Sequence, residues 1–117
     1  MKTNRYNYGT AILSAFEYLL KNYKETFVIG QGLWSPWYVG NSMTDLDKKF
    51  GKNRIIDTPV SESAVTGAAI GASLAGMKPI VVHRRMEFML YAMDAIVNQS
   101  EKWYHVVGGQ ANSGVTV

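Results

Sequence analysis

Glu62 is the side chain of this sequence best set for proton chemistry, because of what stands around it in Arg54–Gly76. A short apolar strand over Arg54–Asp57 runs into Pro59, and proline both fixes its own φ and disfavours a helical conformation at Thr58. The chain must therefore turn before a helix begins at Ser61 and Glu62. Ser61 is expected to be its N-cap, with the hydroxyl accepting a free amide. The Glu62 carboxylate then faces the positive end of the helix dipole, and on the residues alone that is sound helix electrostatics. A second group, His83, Arg84 and Arg85, ends a later apolar run. In an open parallel sheet the carboxyl ends of strands face the ligand crevice, where cationic groups could recognise a substrate carboxylate, an arginine fork especially well. Read singly, each is a surface charge at a strand end. There is no cysteine, and His83 and His105 lack carboxylates at ligand spacing, which argues against disulfides and against a protein-built metal site.

The elements that must position these groups can be read in order. Tyr8–Tyr23 carries Ala11, Ile12, Ala15, Phe16, Leu19, Leu20 and Tyr23 at helical spacing. Thr26–Ile29, ending in Gly30, reads as a buried strand. Gln31–Asn41 holds Gly32, Pro36, Gly40 and the aromatics Trp34, Trp37 and Tyr38, and reads as a loop whose aromatics either line an interface or plug the sheet's edge. Ser42–Phe50 is predicted helical, capped by Ser42 or Thr44 and ended by Gly51. The Arg54–Asp57 strand and the Ser61–Ala75 helix follow, the latter stopped by Gly76. Pro79–His83 is strand-like, and Glu87–Trp103 is helical with Phe88, Tyr91, Ala92, Ala95 and Ile96 on one side. Val115–Val117 looks like the opening of another strand. Strands separated by helices predict an α/β fold, a parallel sheet with helices on both faces.

Four phrases carry a more specific message. DTPVSE, GAAIGASLAGMKPI, EFMLYAMDAIVNQSEKW and GGQ follow one another between Asp57 and Gln110. In that order and spacing the chain resembles the β subunit of the thiamin-diphosphate-dependent decarboxylating component of 2-oxo acid dehydrogenases. The resemblance is close over about half the chain and looser over Thr10–Phe50. It implies the three-layer thiamin-diphosphate-binding fold in its pyrimidine-binding, transketolase-like version. It also implies that Glu62 lies on the aminopyrimidine ring of the cofactor. Thiamin diphosphate reacts through a thiazolium carbon whose proton is taken by the cofactor's own amino group in its imino form. An acid sharing a proton with the ring nitrogen favours that form, and a desolvated carboxyl suits the task near neutral pH.

The same resemblance sets Phe88 where the family stacks an aromatic on the pyrimidine, and Gln31 beside the cofactor where many members carry a glutamate. His83 and Arg84 become candidates for substrate recognition; the pyruvate enzymes are largely uncharged there, so their preference does not transfer. Gly67, Ala68, Gly71, Ala72, Ala75 and Gly76 give one helix a face of very small residues. That face suits close packing either on the domain's own sheet or between subunits, and the family uses Gly67 and Gly71 for the latter. No Gly-Asp-Gly occurs, and Gly30–Gly32 and Gly108-Gly109 are too short for a phosphate loop. An α subunit is thus expected to hold the diphosphate and Mg²⁺ in a heterotetramer, with the isolated chain inactive. The alternatives are a non-catalytic folding or assembly module, and a transketolase or sugar-phosphate synthase relative.

The 117 residues allow one domain, and 47% hydrophobic residues allow a real core. Set against longer family chains, residues 1–117 are expected to be a truncated pyrimidine-binding domain, incomplete at the C-terminus. The net charge of +3 is scattered, with Lys48-Lys49 and Arg84-Arg85 the adjacent basic pairs, which argues against nucleic-acid binding. MKTNRYNYG has no apolar core of a secretory signal, and Lys78 and Pro79 interrupt the most apolar window, Ala64–Val82. A soluble cytoplasmic protein without a membrane partner is expected.

Overall fold

Three parallel strands carry the chain, in the order β2-β1-β3: β1 (Thr26–Gln31), β2 (Ile55–Thr58) and β3 (Lys78–Val82). The structure is a computed structural model and describes residues 7–117. Val28 lies opposite Ile55 on one side and Ile80 on the other, so β1 is the centre of the sheet. That position explains its unbroken run of buried residues, since a central parallel strand is covered on both faces.

Successive side chains of the strands point to opposite faces. Val28, Ile55, Ile80 and Val82 turn to the face covered by α1 (Tyr8–Asn22), by Leu33, Tyr38 and Met43 of the long connection after β1, and by Leu46, which opens the next helix. Phe27, Ile29 and Val81 turn to the other face, where α3 (Glu62–Leu74) packs through Val65, Ala69 and Ala72. The expected α/β architecture with helices on both faces is therefore present. The inward side of α1 is set by Leu13, Phe16 and Leu20, whereas Ala11 and Ala15 of the predicted stripe are exposed. The larger side chains bury more apolar surface and so fix the rotation of the helix.

Several boundaries differ from the sequence reading. β2 and β3 are displaced by one residue, towards Thr58 and towards Lys78 respectively. Ser61 occupies the N-cap position of α3, yet its hydroxyl makes no capping bond. The second helix, α2 (Leu46–Phe50), starts four residues late. Neither expected cap serves it: Ser42 is buried, and the Thr44 hydroxyl donates to the Pro36 and Asn41 carbonyls. Asp45 takes the cap position in a left-handed conformation that short polar side chains tolerate.

The segment predicted as one helix over Glu87–Trp103 changes winding. It comprises α4 (Met86–Met89), a 3₁₀ turn at Leu90–Ala92, a π stretch at Ala95–Glu101 and α5 (Trp103–Val106). Ala92 and Ala95 are buried where this segment packs on α3, while Tyr91 is exposed. Val115–Val117 meets the sheet at a single bridge, Thr116 with Ile80, through Val81 N–H donating to the Thr116 carbonyl at 2.8 Å. A hydroxyl relay holds the preceding turn: Ser100 donates to Ser113 at 2.9 Å, Ser113 lies 3.2 Å from Ser73, and Ser73 donates to the Ile70 carbonyl. Among the described residues, no helix is long and apolar enough to cross a membrane.

Candidate functional site

The chemistry-bearing residues gather at the carboxyl edge of the sheet, where the three strands end side by side. Gly30 pairs with Asp57 on one side and Val82 on the other. A Cβ on Gly30 would fall on the Val82 carbonyl, so only glycine lets β1 and β3 approach this closely. Beyond Gly30 the chain turns sharply at Gly32, whose φ of +74° suits glycine. That turn is held by Asp57, whose carboxylate accepts the amide N–H groups of both Gly32 and Leu33, the latter at 3.1 Å. Further back, Arg54 donates to the carbonyls of Leu20, Tyr23 and Thr26, tying the end of α1 to the start of β1.

Above this edge lies a narrow cleft lined by Gln31, Thr58, Ser61, Glu62, His83 and Phe88. Gln31, Glu62, Arg84 and Phe88 also line an adjoining open groove of about 940 Å³, rimmed by Val39, Val60 and Tyr91. The structure thus brings Gln31, Glu62, His83, Arg84 and Phe88 together from β1, α3, the end of β3 and α4. Glu62 is half-buried at the first position of α3, facing the cleft rather than open solvent. The proline corner makes this possible by ending β2 and starting α3 within three residues.

His83 is half-buried, with Nε2 3.3 Å from the hydroxyl of Thr66, a fully buried residue. Burial pulls its pKa below the ordinary histidine value, and the negative charge of Glu62 opposes this only in part. That shift favours the neutral imidazole over the cationic form considered from the sequence. Arg84 and Arg85 are exposed, each guanidinium lying near an aromatic ring: Arg84 is 5.6 Å from the Tyr38 centroid and Arg85 5.8 Å from that of Phe88. Arg85 also reaches Glu87 at 3.5 Å. Two hydroxyls here are buried without a partner, that of Thr58 in the cleft wall and that of Tyr38. Burial raises the Tyr38 pKa, with Arg84 opposing and Asp57 reinforcing.

The loop aromatics divide three ways. Tyr38 is core, Trp37 is 82% exposed, and the Trp34 indole donates to the Ile55 carbonyl while Lys52 sits 4.0 Å from its ring. Gly67 and Gly71 lie away from the cleft, and a Cβ at either would meet nothing within 4 Å. Thr66, Ala69, Ile70 and Ser73 are the buried residues of α3, so these two glycines are not packed on the domain's own sheet. Among the described residues, no three His, Cys, Asp or Glu side chains gather as metal ligands.

Sequence reasoning missed Asp57 and Thr58 as parts of this edge, and left Tyr38 among three aromatics that either line an interface or plug the sheet's edge. One signal was present: Asp57 is a charged residue at the end of an otherwise apolar strand, and such a group must find partners.

Residues 4–112 match the family described as the transketolase pyrimidine-binding domain. The chain is similar to the pyruvate dehydrogenase E1 component subunit beta of Rickettsia bellii, 44% identical over 86 residues, which cover 74% of this chain and 26% of the relative. The mitochondrial human subunit is 36% identical over 87 residues, 74% of this chain and 21% of its own length. The Saccharomyces cerevisiae subunit is 34% identical over 102 residues, 85% of this chain and 27% of its own. The chain thus spans about a quarter of the length of the curated relatives it matches. A parallel sheet with helices on both faces, Glu62 at the proline corner and a match over nearly the whole sequence agree: the chain belongs to the transketolase pyrimidine-binding domain family and is homologous to E1 beta subunits.

Proposed function

We propose that this chain forms the pyrimidine-binding half of a thiamin-diphosphate-dependent 2-oxo acid decarboxylase or dehydrogenase, and that an α subunit supplies the half that binds diphosphate and Mg²⁺. The observation that carries the reading is the meeting of Glu62 and Phe88, which line both the narrow cleft and the open groove beside it. These residues fit an aminopyrimidine: an acid for a ring nitrogen and an aromatic face. The narrow cleft is too small for the ring, so the ring's place is the adjoining groove, which Glu62 and Phe88 also line.

Thiamin diphosphate, when bound, supplies an acidic thiazolium carbon that adds to a 2-oxo group. Glu62 holds a proton at its carboxyl oxygen for the pyrimidine nitrogen, and Phe88 covers the ring and excludes water from it. His83 lines the cleft with Glu62, and its burial favours the uncharged imidazole there. Gln31 adds a hydrogen-bonding amide but no charge. The sequence has no Gly-Asp-Gly, which supports a partner for the phosphates and an inactive isolated chain. The open Gly67 and Gly71 support self-association of α3 with a second copy.

The test is Glu62→Gln in a complex reconstituted with a partner chain bearing Gly-Asp-Gly. We expect 2-oxo acid decarboxylation to fall at least about a hundredfold with assembly intact. Calorimetric titration with thiamin diphosphate and Mg²⁺ gives a second readout. Unchanged activity and unchanged cofactor affinity would leave the chain a non-catalytic assembly module.

A further inference from the structure

Arg84 stands apart from the other arginines described. Arg54 spends its guanidinium on three backbone carbonyls, and Arg85 reaches Glu87. Arg84 has no carboxylate and no hydrogen-bond acceptor within reach among the described residues, although it lines both the cleft and the groove. It is nevertheless seated. Its guanidinium lies 5.6 Å from the centroid of Tyr38, which is only 1% exposed, and a Cβ on Gly32 would come within 3.7 Å of it. The turn beside it is the one that Asp57 holds through two amides. Three strand ends thus converge on a preorganised cation with an empty donor fork.

We propose that Arg84 is the specificity residue that receives the carboxylate of the 2-oxo acid, and that Tyr38 is the positioning residue that holds its guanidinium. The assignment of the anion rests on the function proposed above; the seat of the cation does not. Planar guanidinium and planar carboxylate match in two parallel N–H···O bonds, and a site that desolvates neither completely favours the pair. Glu62 and Gln31 line the same groove, and neither is hydrogen-bonded to the fork in this structure. The cation–π contact limits the rotamers Arg84 must give up on binding.

A fork-to-carboxylate contact with little else behind it corresponds to a dissociation constant on the order of 10 mM. The experiment titrates the ¹⁵N-labelled full chain with sodium pyruvate, following the Arg84 Nε–H and the Gly32 amide, with neutral methyl pyruvate as the second probe. Expected are saturable shifts at both positions with pyruvate and none with the ester. Arg84→Gln should weaken the response about tenfold or more, and Arg84→Lys should restore it only in part. Tyr38→Leu, which keeps the charge and removes its seat, should weaken it several-fold; were that variant to unfold, the two Arg84 variants alone decide. Equal shifts with pyruvate and the ester, no saturable shift, or a shift that survives Arg84→Gln would overturn the proposal. The titration uses no cofactor. A chain that binds pyruvate at Arg84 yet tolerates Glu62→Gln in the complex would keep this assignment and lose the proton-sharing role.

Discussion

Replacing Asp57 with alanine separates the bonds that build the site from the sheet beneath it. The carboxylate accepts two backbone N–H groups, from Gly32 and Leu33, in a part-buried setting. A hydrogen bond to a charged group contributes about 1.5–3 kcal/mol, and an amide left without its partner bears its desolvation as well. Two such bonds set an upper figure of about 6 kcal/mol, but water reaches part of the turn, so we expect a loss of about 2–3 kcal/mol. Asp57→Asn keeps one acceptor oxygen without the charge and should lose about 1 kcal/mol. Urea unfolding measures both: with a slope of about 1.5 kcal/mol per molar, the alanine midpoint falls by roughly 1.3–2 M. Amide hydrogen exchange localises the effect, since Gly32 and Leu33 should lose protection in the folded chain while Val28 and Ile29 at the sheet centre keep theirs. An unchanged midpoint together with unchanged protection at Gly32 and Leu33 would refute the claim that this carboxylate holds the turn.

Three other outcomes follow from the same structure. Gly30→Ala forces a Cβ onto the Val82 carbonyl and should destabilise the chain by about 3 kcal/mol in urea titration; an alanine variant as stable as the parent would contradict the close approach of β1 and β3. The His83 pKa is lower in the folded chain than its ordinary value near 6.5, so the unfolded chain takes up the proton first. Stability is full above that value and declines as pH falls through the folded pKa, a slope that thermal unfolding between pH 7.5 and 5 should show and His83→Gln should flatten. Gly71→Leu should raise the stability of the separate chain by about 0.8 kcal/mol through helix propensity, because nothing lies within 4 Å of the new side chain. It should also weaken self-association in sedimentation, and a dimer that persists unaltered would remove α3 from the interface.

What could be read from the sequence was whatever depends on near neighbours. The three strands, the proline corner and the placing of Glu62 at the start of α3 follow from apolar runs and from Pro59, and the structure displaces the strand ends by one residue or so. The bonds that make the edge a site span much longer distances along the chain. Asp57 reaches Gly32 across 25 residues, and Arg54 reaches Leu20 across 34, so neither pattern exists until the sheet has formed. Tyr38 looked like one of three equivalent loop aromatics; its burial comes from α1 and α2 closing over it, which no spacing encodes. Ser42 and Thr44 were misread because both have the chemistry of a cap; here the Thr44 hydroxyl serves the turn before α2 and Ser42 is buried. The change of winding between Leu90 and Glu101 is likewise invisible to a reading that assumes a constant period.

The connection from β1 to α2 is a bracket bolted at three points: its first turn to Asp57, Trp34 to the backbone of β2, and Tyr38 into the hydrophobic interior. Between the last two bolts, Pro36 and Trp37 stand clear of the body. Val39, just past the third bolt, rims the groove, so exchanging the outer corner changes the face this connection shows to solvent while the three bolts stay in place.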